Sequence, residues 1–283
     1  MISETDLDLG DGRALHVYDA RPEETGPQAG PVIFWHHGTP NTGEPPEPLL
    51  PAGARNGVRW VSYNRPGYLG STPHPGRDIA SAAGYVATVA DALGIDRFSV
   101  MGHSGGGAHA LACAALLPDR VQAVICAAGL APYTAEGLDW FAGMYPGGAA
   151  ELAAAAAGRE ALAELLNATE YDPEMFTPTD LTSLGGPWAW LFRIAGEATQ
   201  AGLEGMIEDD LAGVAPWGFE PSQIRAPVLY LHGGRDRIVP AAHAQWLTGH
   251  TPGAELWLRP DDGHISVLDA GPAAMEWLCD LAA

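Results

Sequence analysis

The sequence predicts an α/β fold in which helices cover both faces of a mostly parallel β-sheet. Short apolar runs alternate with segments of helical periodicity over most of the 283 residues. Runs that are apolar on both faces are typical of buried parallel strands. The alternation stops at about residues 132–218, which are rich in Ala and Trp and look helical. We therefore expect one sheet domain, built from residues 1–131 and 219–283, with a helical insertion at 132–218.

The part of the chain before the insertion contains the patterns of six strands and two helices. Residues 7–18 predict a hairpin, because short alternating segments flank an Asp-Gly pair that suits a tight turn. The next four strands are predicted at residues 31–35, 58–63, 98–101 and 121–126. Helices are predicted over 79–93, with Asp78 as a cap, and over 108–117.

The second half of the chain continues with helices and then returns to the sheet pattern. Within the insertion, helices are predicted over 136–144, 149–167 and 203–211. After it, strands are predicted at 227–231 and 255–258, and helices at 241–247 and 272–281. The predicted sheet thus has eight strands in all.

Composition and charge exclude several classes of partner. Hydrophobic residues make up 47% of the chain and charged residues 17%, which is enough apolar content for a sizeable core. The net charge is −21, and every one of the 14 basic residues counted is an arginine. Such a surface repels nucleic acids and anionic membranes, so we expect neither as a partner. A small molecule remains as the expected partner, and a homodimer is left open.

The sequence shows no pattern of a signal peptide, a membrane span or a cysteine-based metal or redox site. The first residues lack the basic and apolar regions of a signal peptide, and no run is long enough to span a bilayer, so we expect a cytoplasmic protein. Cys113, Cys126 and Cys279 are far apart and fit no metal or redox spacing. We expect no metal and no cofactor.

The strongest chemical motif is Gly102-His103-Ser104-Gly105-Gly106, which matches G-x-S-x-G between a predicted strand and a predicted helix. A turn this sharp strains the backbone of Ser104, and glycines on either side remove side chains that would clash. The hydroxyl of Ser104 then projects from the carboxyl end of the sheet. The amide of Gly105 begins a helix, so its N–H is free to bind an oxyanion. Ser104 is therefore the candidate nucleophile.

A serine nucleophile needs a base and an orienting acid, which follow it in the order acid and then histidine on this architecture. Asp236 follows the strand at 227–231, and His264 follows the strand at 255–258. Both positions lie where the chain leaves the carboxyl end of a strand, which is the edge where such sheets bind ligands. We therefore predict Asp236 as the acid and His264 as the base.

Other residues compete for these two roles. His109 follows Ser104 on the helix and is expected to point away, while His103 is expected to pack within the turn. His232 could contact the site but precedes the acid. His243 and His250 belong to a predicted helix and its end. Asp261 and Asp262 come just before His264 and could not easily orient it.

A second oxyanion donor is expected from a loop that follows an early strand. The segment His37-Gly38-Thr39-Pro40 occupies that place. Pro40 has no N–H, so the amide of Thr39 is the predicted donor.

Five segments of the chain together resemble the α/β-hydrolase superfamily. They are His37-Gly38-Thr39-Pro40, Asn64-Arg65-Pro66-Gly67-Tyr68-Leu69-Gly70-Ser71, Gly102-His103-Ser104-Gly105-Gly106, His232-Gly233-Gly234-Arg235-Asp236 and Gly263-His264. The resemblance is to the capped hydrolases that include esterases, proline iminopeptidases and epoxide hydrolases. It implies the α/β-hydrolase fold, with the insertion as a cap. Ser104 argues against epoxide hydrolases and haloalkane dehalogenases, which need Asp there, and Asn64 departs from the Asp that is common in relatives.

The cap that this resemblance implies would carry the substrate-binding residues. It is rich in large apolar side chains, of which Trp140, Trp188, Trp190 and Trp217 are predicted to line a mostly hydrophobic pocket, with a role in the insertion's own core as the open alternative. We expect the hydrolysis of a small hydrophobic carboxylic ester through an acyl-enzyme on Ser104.

Two alternatives remain open at this stage. An aminopeptidase would need carboxylates in the insertion to hold the substrate ammonium, and Glu197, Glu204, Glu208, Asp209 and Asp210 are available, although a solvated helix face explains them more simply. A ligand binder that has kept the fold and lost turnover is the other alternative.

Overall fold

The computed structural model describes residues 2–22, 30–200 and 202–282. It contains one eight-stranded sheet with the order β1-β2-β4-β3-β5-β6-β7-β8. The strands are β1 (Ile2–Asp8), β2 (Ala14–Ala20), β3 (Val32–His36), β4 (Arg59–Tyr63), β5 (Phe98–His103), β6 (Val121–Ala127), β7 (Val228–Gly233) and β8 (Glu255–Arg259). The β1–β2 hairpin and the β2–β4 pair are antiparallel. The other neighbouring strands, which are β4, β3, β5, β6, β7 and β8 in sheet order, run parallel. The predicted fold class and all the predicted strands are confirmed.

Helices cover both faces of this sheet. The helices outside the insertion are α1 (Leu50–Arg55), α2 (Ser81–Ala92), α3 (Gly105–Leu116), α9 (Ala242–His250) and α10 (Gly271–Ala282). Successive strand residues point to opposite faces, so Phe34 packs in a core with α2, α3 and α9, while Ile33 and Trp35 pack in a core with α1 and α10. The double coverage explains why the inner strands β3, β4, β5, β6 and β7 are buried along nearly their whole length.

The chain between β6 and β7 is helical, and no strand occurs among its described residues. Its helices are α4 (Pro146–Ala157), α5 (Arg159–Ala168), α6 (Pro178–Leu184), α7 (Trp190–Thr199) and α8 (Glu204–Val214). A small core of Ala155, Leu162 and Ile207 joins α4, α5 and α8. We call residues 132–218 the insertion below.

Three details of the predicted helices differ from the structure. Residues 136–144 form turns, because Gly137 and Gly143 adopt left-handed backbone angles of φ 79° and 88°. The helix predicted over 149–167 is divided into α4 and α5 at Gly158, whose φ is 120°. Helix α2 begins at Ser81 rather than 79, but Asp78 still accepts a hydrogen bond from the Ser81 amide, at 2.9 Å. No helix in the described part of the chain is long and apolar enough to cross a membrane.

Candidate active site

Ser104 lies at a sharp turn between β5 and α3. Its backbone angles are φ 55° and ψ −128°, a conformation that costs an L-residue of order 1–3 kcal/mol. The neighbouring glycines permit this turn, because a Cβ on Gly102 would lie 2.2 Å from the Gly106 carbonyl oxygen. A Cβ on Gly106 would lie 2.1 Å from the His36 carbonyl oxygen. Ser104 is thus held in a strained conformation at the carboxyl edge of the sheet, on the rim of a cavity.

His264 and Asp236 meet at the same edge from the loops that follow β8 and β7. The Nδ1–H of His264 donates to Asp236 Oδ2 at 2.8 Å, and both residues are buried. The other oxygen of Asp236 accepts from the amides of Ile238 and Val239, at 2.9 and 2.8 Å. Because Nδ1 is the donor, Nε2 of a neutral His264 is left as the acceptor. His264 lines the same cavity as Ser104.

The charge of His264 is set by two opposing effects. Burial disfavours the imidazolium, but the Asp236 carboxylate, with a smaller contribution from Asp180, raises the pKa of His264 above its ordinary value. A base with a raised pKa accepts a proton more readily, which suits proton transfer from a serine hydroxyl.

Three of the rival histidines, His103, His109 and His232, are buried and make hydrogen bonds to backbone carbonyl groups. His103 donates from Nε2 to the His264 carbonyl oxygen at 3.1 Å, and burial together with the neighbouring His264 lowers the pKa of His103 to about 3. His232 donates from Nε2 to the Val239 carbonyl oxygen at 2.7 Å. His109 lines the cavity, contrary to the expectation that it points away, but its Nδ1 donates to the Gly105 carbonyl oxygen at 2.9 Å.

The two amides predicted to bind an oxyanion lie on adjacent loops. A Cβ on Gly105 would lie 2.8 Å from the Thr39 hydroxyl and 3.9 Å from the Thr39 amide nitrogen. Both residues line the cavity next to Ser104. Within the described residues, neither N–H donates to another group. Both amides are therefore available to a ligand.

A buried ionic cluster that the sequence did not predict holds the Thr39 loop. Asp209, on α8, accepts hydrogen bonds from Thr39 Oγ1 at 2.8 Å and from Tyr68 OH at 2.8 Å. It also accepts from Arg65 Nη2 and Arg77 Nη2, both at 2.5 Å. Burial alone would raise the pKa of Asp209, but the two guanidinium groups hold it well below the ordinary value.

Arg65 extends this cluster to the backbone beside Thr39. It donates to the carbonyl oxygens of His37 and Gly38, at 2.5 and 3.0 Å. The insertion therefore fixes the loop that carries Thr39, one of the two residues whose amides are predicted to bind an oxyanion. The sequence showed Arg65 as part of a motif but offered no signal that its partner is an aspartate 144 residues further along the chain.

The cavity has a volume of about 470 Å³ and lies between the sheet edge and the insertion. Most of its wall is apolar, and includes Leu152, Met175, Phe192, Met206, Trp217 and Ile238. Its acidic lining residues are Glu151, Glu170, Asp172, Asp209 and Asp210. No arginine lines it within the described part of the chain.

Of the four tryptophans predicted to bind substrate, the structure brings Trp217 to the cavity and places the other three elsewhere. Trp140 donates from Nε1 to the Ala131 carbonyl oxygen at 3.0 Å. Trp188 donates to Asp269 at 2.9 Å, and Trp190 to Glu44 at 3.0 Å. All three are buried, as Trp217 is, so apolar composition alone could not indicate which of the four lines the cavity.

The acidic residues of the insertion also differ from the expected solvated face. Glu197 and Glu204 are partly exposed and pair with Arg193 and Arg159, both at 3.1 Å. Glu208 and Asp209 are buried in ion pairs. Asp210 is buried next to Glu151 on α4. Burial, and to a lesser extent the charge of Glu151, raises the pKa of Asp210 well above the ordinary value.

Comparisons with known proteins agree with this architecture. A family model described as the alpha/beta hydrolase fold matches residues 31–271. The chain is 27% identical to the 2-hydroxy-6-oxo-6-phenylhexa-2,4-dienoate hydrolase of Burkholderia cepacia, over 88% of this chain and 84% of that protein. It is 32% identical to the pimeloyl-[acyl-carrier protein] methyl ester esterase of Nitrosomonas europaea, over 61% of this chain and 66% of that protein.

A solved structure of similar fold is a thermophilic esterase from Thermogutta terrifontis. It superposes with a TM-score of 0.72 at 18% identity, and the match covers 99% of this chain and 100% of that one. At this identity, the similarity concerns the fold.

Proposed function

The chain belongs to the α/β-hydrolase fold family, and we propose that this hydrolase cleaves a small, mostly hydrophobic carboxylic ester through an acyl-enzyme on Ser104. The observation that carries the proposal is the strained Ser104 on the same cavity as His264, whose Nδ1–H is bonded to the buried Asp236. The insertion would act as the cap over this cavity.

The proposed reaction has two halves. In the first, Ser104 Oγ attacks the ester carbonyl carbon while His264 Nε2 takes the hydroxyl proton. The amides of Thr39 and Gly105 would stabilise the tetrahedral oxyanion, whose collapse breaks the ester C–O bond as His264 returns the proton to the leaving alkoxide. In the second half, a water molecule attacks the acyl-enzyme by the same route, and the acid and free Ser104 are released. Asp236 orients His264 throughout.

The cavity lining supports a neutral substrate over an anionic one. Its wall is largely apolar, its acidic side chains are carboxyls, and no arginine lines it among the described residues. A substrate carboxylate would lose its hydration there without gaining a cationic partner, which is unfavourable. The dienoate named for the Burkholderia cepacia hydrolase carries such a carboxylate. We therefore place this chain's substrate in a different class from that dienoate.

A second candidate function is an aminopeptidase that releases an N-terminal residue. One specific observation favours it: Asp210 and Glu151, close enough to share a hydrogen bond, line the cavity together. A substrate ammonium group could replace the proton that two adjacent buried carboxyls would otherwise share. Asp210→Asn would then impair cationic substrates and leave neutral esters almost unchanged.

The test compares kcat/KM for three p-nitrophenyl or p-nitroanilide substrates. They are p-nitrophenyl butyrate, a p-nitrophenyl ester of similar length that ends in a carboxylate, and proline p-nitroanilide. We expect the neutral ester to be the best substrate, with the anionic ester at least about tenfold worse, since one uncompensated charge easily exceeds 1.4 kcal/mol. Higher efficiency on the anilide would replace the esterase proposal with the aminopeptidase.

The non-catalytic alternative has its own test. A folded sample that forms no adduct at Ser104 with a fluorophosphonate would support a ligand binder. Labelling that disappears in Ser104→Ala would exclude it.

A further inference from the structure

Asp180 is a buried carboxylate on α6 of the insertion, and only 1% of its surface is exposed. Its Oδ1 accepts from the amides of Ile265 and Ser266, both at 2.8 Å, and from Ser266 Oγ at 3.0 Å. Its Oδ2 accepts from the amide and hydroxyl of Thr177, at 3.0 and 2.8 Å, and from the His264 amide at 3.2 Å. One carboxylate therefore binds three consecutive amides of the segment that carries the candidate base.

The approach of Asp180 to this segment depends on Gly263. A Cβ on Gly263 would lie 2.1 Å from Asp180 Oδ2 and 2.6 Å from Thr177 Oγ1. Any side chain at that position would push the insertion away from the loop. The contact therefore requires both the carboxylate of Asp180 and a glycine at position 263.

The carboxylate is charged in this environment. Burial opposes ionisation, but the donated hydrogen bonds, led by those of Ser266 and Thr177, lower the pKa of Asp180 below the ordinary value. A carboxylate that accepts several N–H groups retains its charge in this way. The negative charge thus persists at neutral pH, next to the backbone of His264.

We propose that Asp180 is a positioning residue for His264: it fixes the loop 263–266 against the insertion and places a second negative charge near the imidazole. The inference rests on the proposed role of His264 as the base. During the reaction His264 becomes an imidazolium, so a nearby fixed charge lowers the energy of that state. The rigid loop keeps Nε2 at the distance that proton transfer requires.

The other titratable groups around His264 come from the core. Asp236 accepts its Nδ1–H, His232 lies beside Asp236 with 3.5 Å between Nε2 and Oδ2, and His103 packs with its ring centroid 4.9 Å from that of His264. His103 is neutral because burial lowers its pKa. Removing the Asp180 charge therefore changes the His264 environment without altering these core groups.

The test compares Asp180→Asn with Asp269→Asn. Asp269 also joins the insertion to the segment after His264, through Ser183 Oγ and Trp188 Nε1 at 2.9 Å each, but it does not contact His264. Two readouts are followed: the His264 pKa, from NMR titration of labelled imidazoles assigned with His264→Gln, and the rate of Ser104 labelling by a fluorophosphonate. Neither readout requires the natural substrate.

For Asp180→Asn we expect the His264 pKa to fall by about one unit, since a neighbouring opposite charge shifts a pKa by this order. We expect the labelling rate to fall at least about tenfold, because a misplacement near 1 Å can cost a hundredfold. Asp269→Asn should leave both values near wild type. A folded Asp180→Asn protein with a wild-type pKa and labelling rate would overturn the inference, as would equal effects of the two variants.

If Asp180→Asn does not fold, a second variant tests whether Asp180 positions His264. Thr177→Val keeps the carboxylate and the loop 263–266 but removes the hydroxyl that donates to Asp180 Oδ2 and accepts from the Asp180 amide. We expect a labelling rate about two- to fivefold below wild type, of the size of the one hydrogen bond that the carboxylate loses. An unchanged rate would contradict the inference. If wild type is labelled at Ser104 but hydrolyses no ester, the substrate proposal fails while this inference stands.

Discussion

The ionic cluster around Asp209 predicts a large loss of stability for Asp209→Asn. The substitution preserves the shape of the side chain but removes the charge that pairs with Arg65 and Arg77. The three side chains are 1–2% exposed, so water cannot replace the lost partner. Breaking a buried ion pair in this way costs about 3–5 kcal/mol, which corresponds to a fall in Tm of about 6–20 °C for a domain of this size.

The assay is urea unfolding followed by tryptophan fluorescence, with Glu204→Gln as the control. Glu204 pairs with Arg159 at 3.1 Å, but their side chains are 45% and 40% exposed. An exposed pair contributes about 0–1 kcal/mol, so the control should unfold almost like wild type. A loss of less than about 1 kcal/mol for Asp209→Asn would show that Arg65 and Arg77 do not depend on this carboxylate, and the reasoning would be refuted.

Three further predictions concern individual side chains. Asn64→Asp should lower the free energy of unfolding by about 1–3 kcal/mol, because the buried amide donates to the Leu69 carbonyl oxygen and a carboxylate cannot; an unchanged urea midpoint would contradict this. Trp217→Phe should change the preference for acyl chain length, whereas Trp188→Phe should lower Tm through its lost indole hydrogen bond and leave that preference alone; the reverse pattern would contradict the cavity assignment. Because the pKa of His264 is raised, kcat/KM should be low at acid pH, where the base is protonated, and rise through an apparent pKa above 6.5; a rise that is complete below that pH would contradict the assignment of His264.

The residues nearest the chemistry could be predicted because their signals are local. Gly102 is required by the turn at Ser104 itself, because its Cβ would meet the Gly106 carbonyl oxygen, whereas Gly106 makes room for the His36 carbonyl oxygen at the end of β3. Asp236 and His264 follow strands whose carboxyl ends must meet at one edge of a parallel sheet. In each case the element that places the residue is adjacent to it in the sequence.

The residues that support the site could not be predicted, because their partners are distant in the sequence. Asp180 matches the capping box of its own helix with Thr177, and nothing local indicates that it also binds the amides of residues 264–266. Asp209 lies on a helix with several other acids, a pattern that favours a solvated face. Trp217 and Trp188 have the same composition signal, and only their packing shows which of them lines the cavity.

The most direct test of the proposed acyl-enzyme is mass spectrometry of the protein during turnover. The wild-type protein is mixed with p-nitrophenyl butyrate, quenched with acid within milliseconds and digested, and Ser104→Ala is treated in parallel. We expect one butyryl group on the peptide that contains Ser104, no adduct in Ser104→Ala, and a loss of turnover in that variant of about a thousandfold or more. A butyryl group on another residue, or turnover that survives in Ser104→Ala, would contradict the role assigned to Ser104.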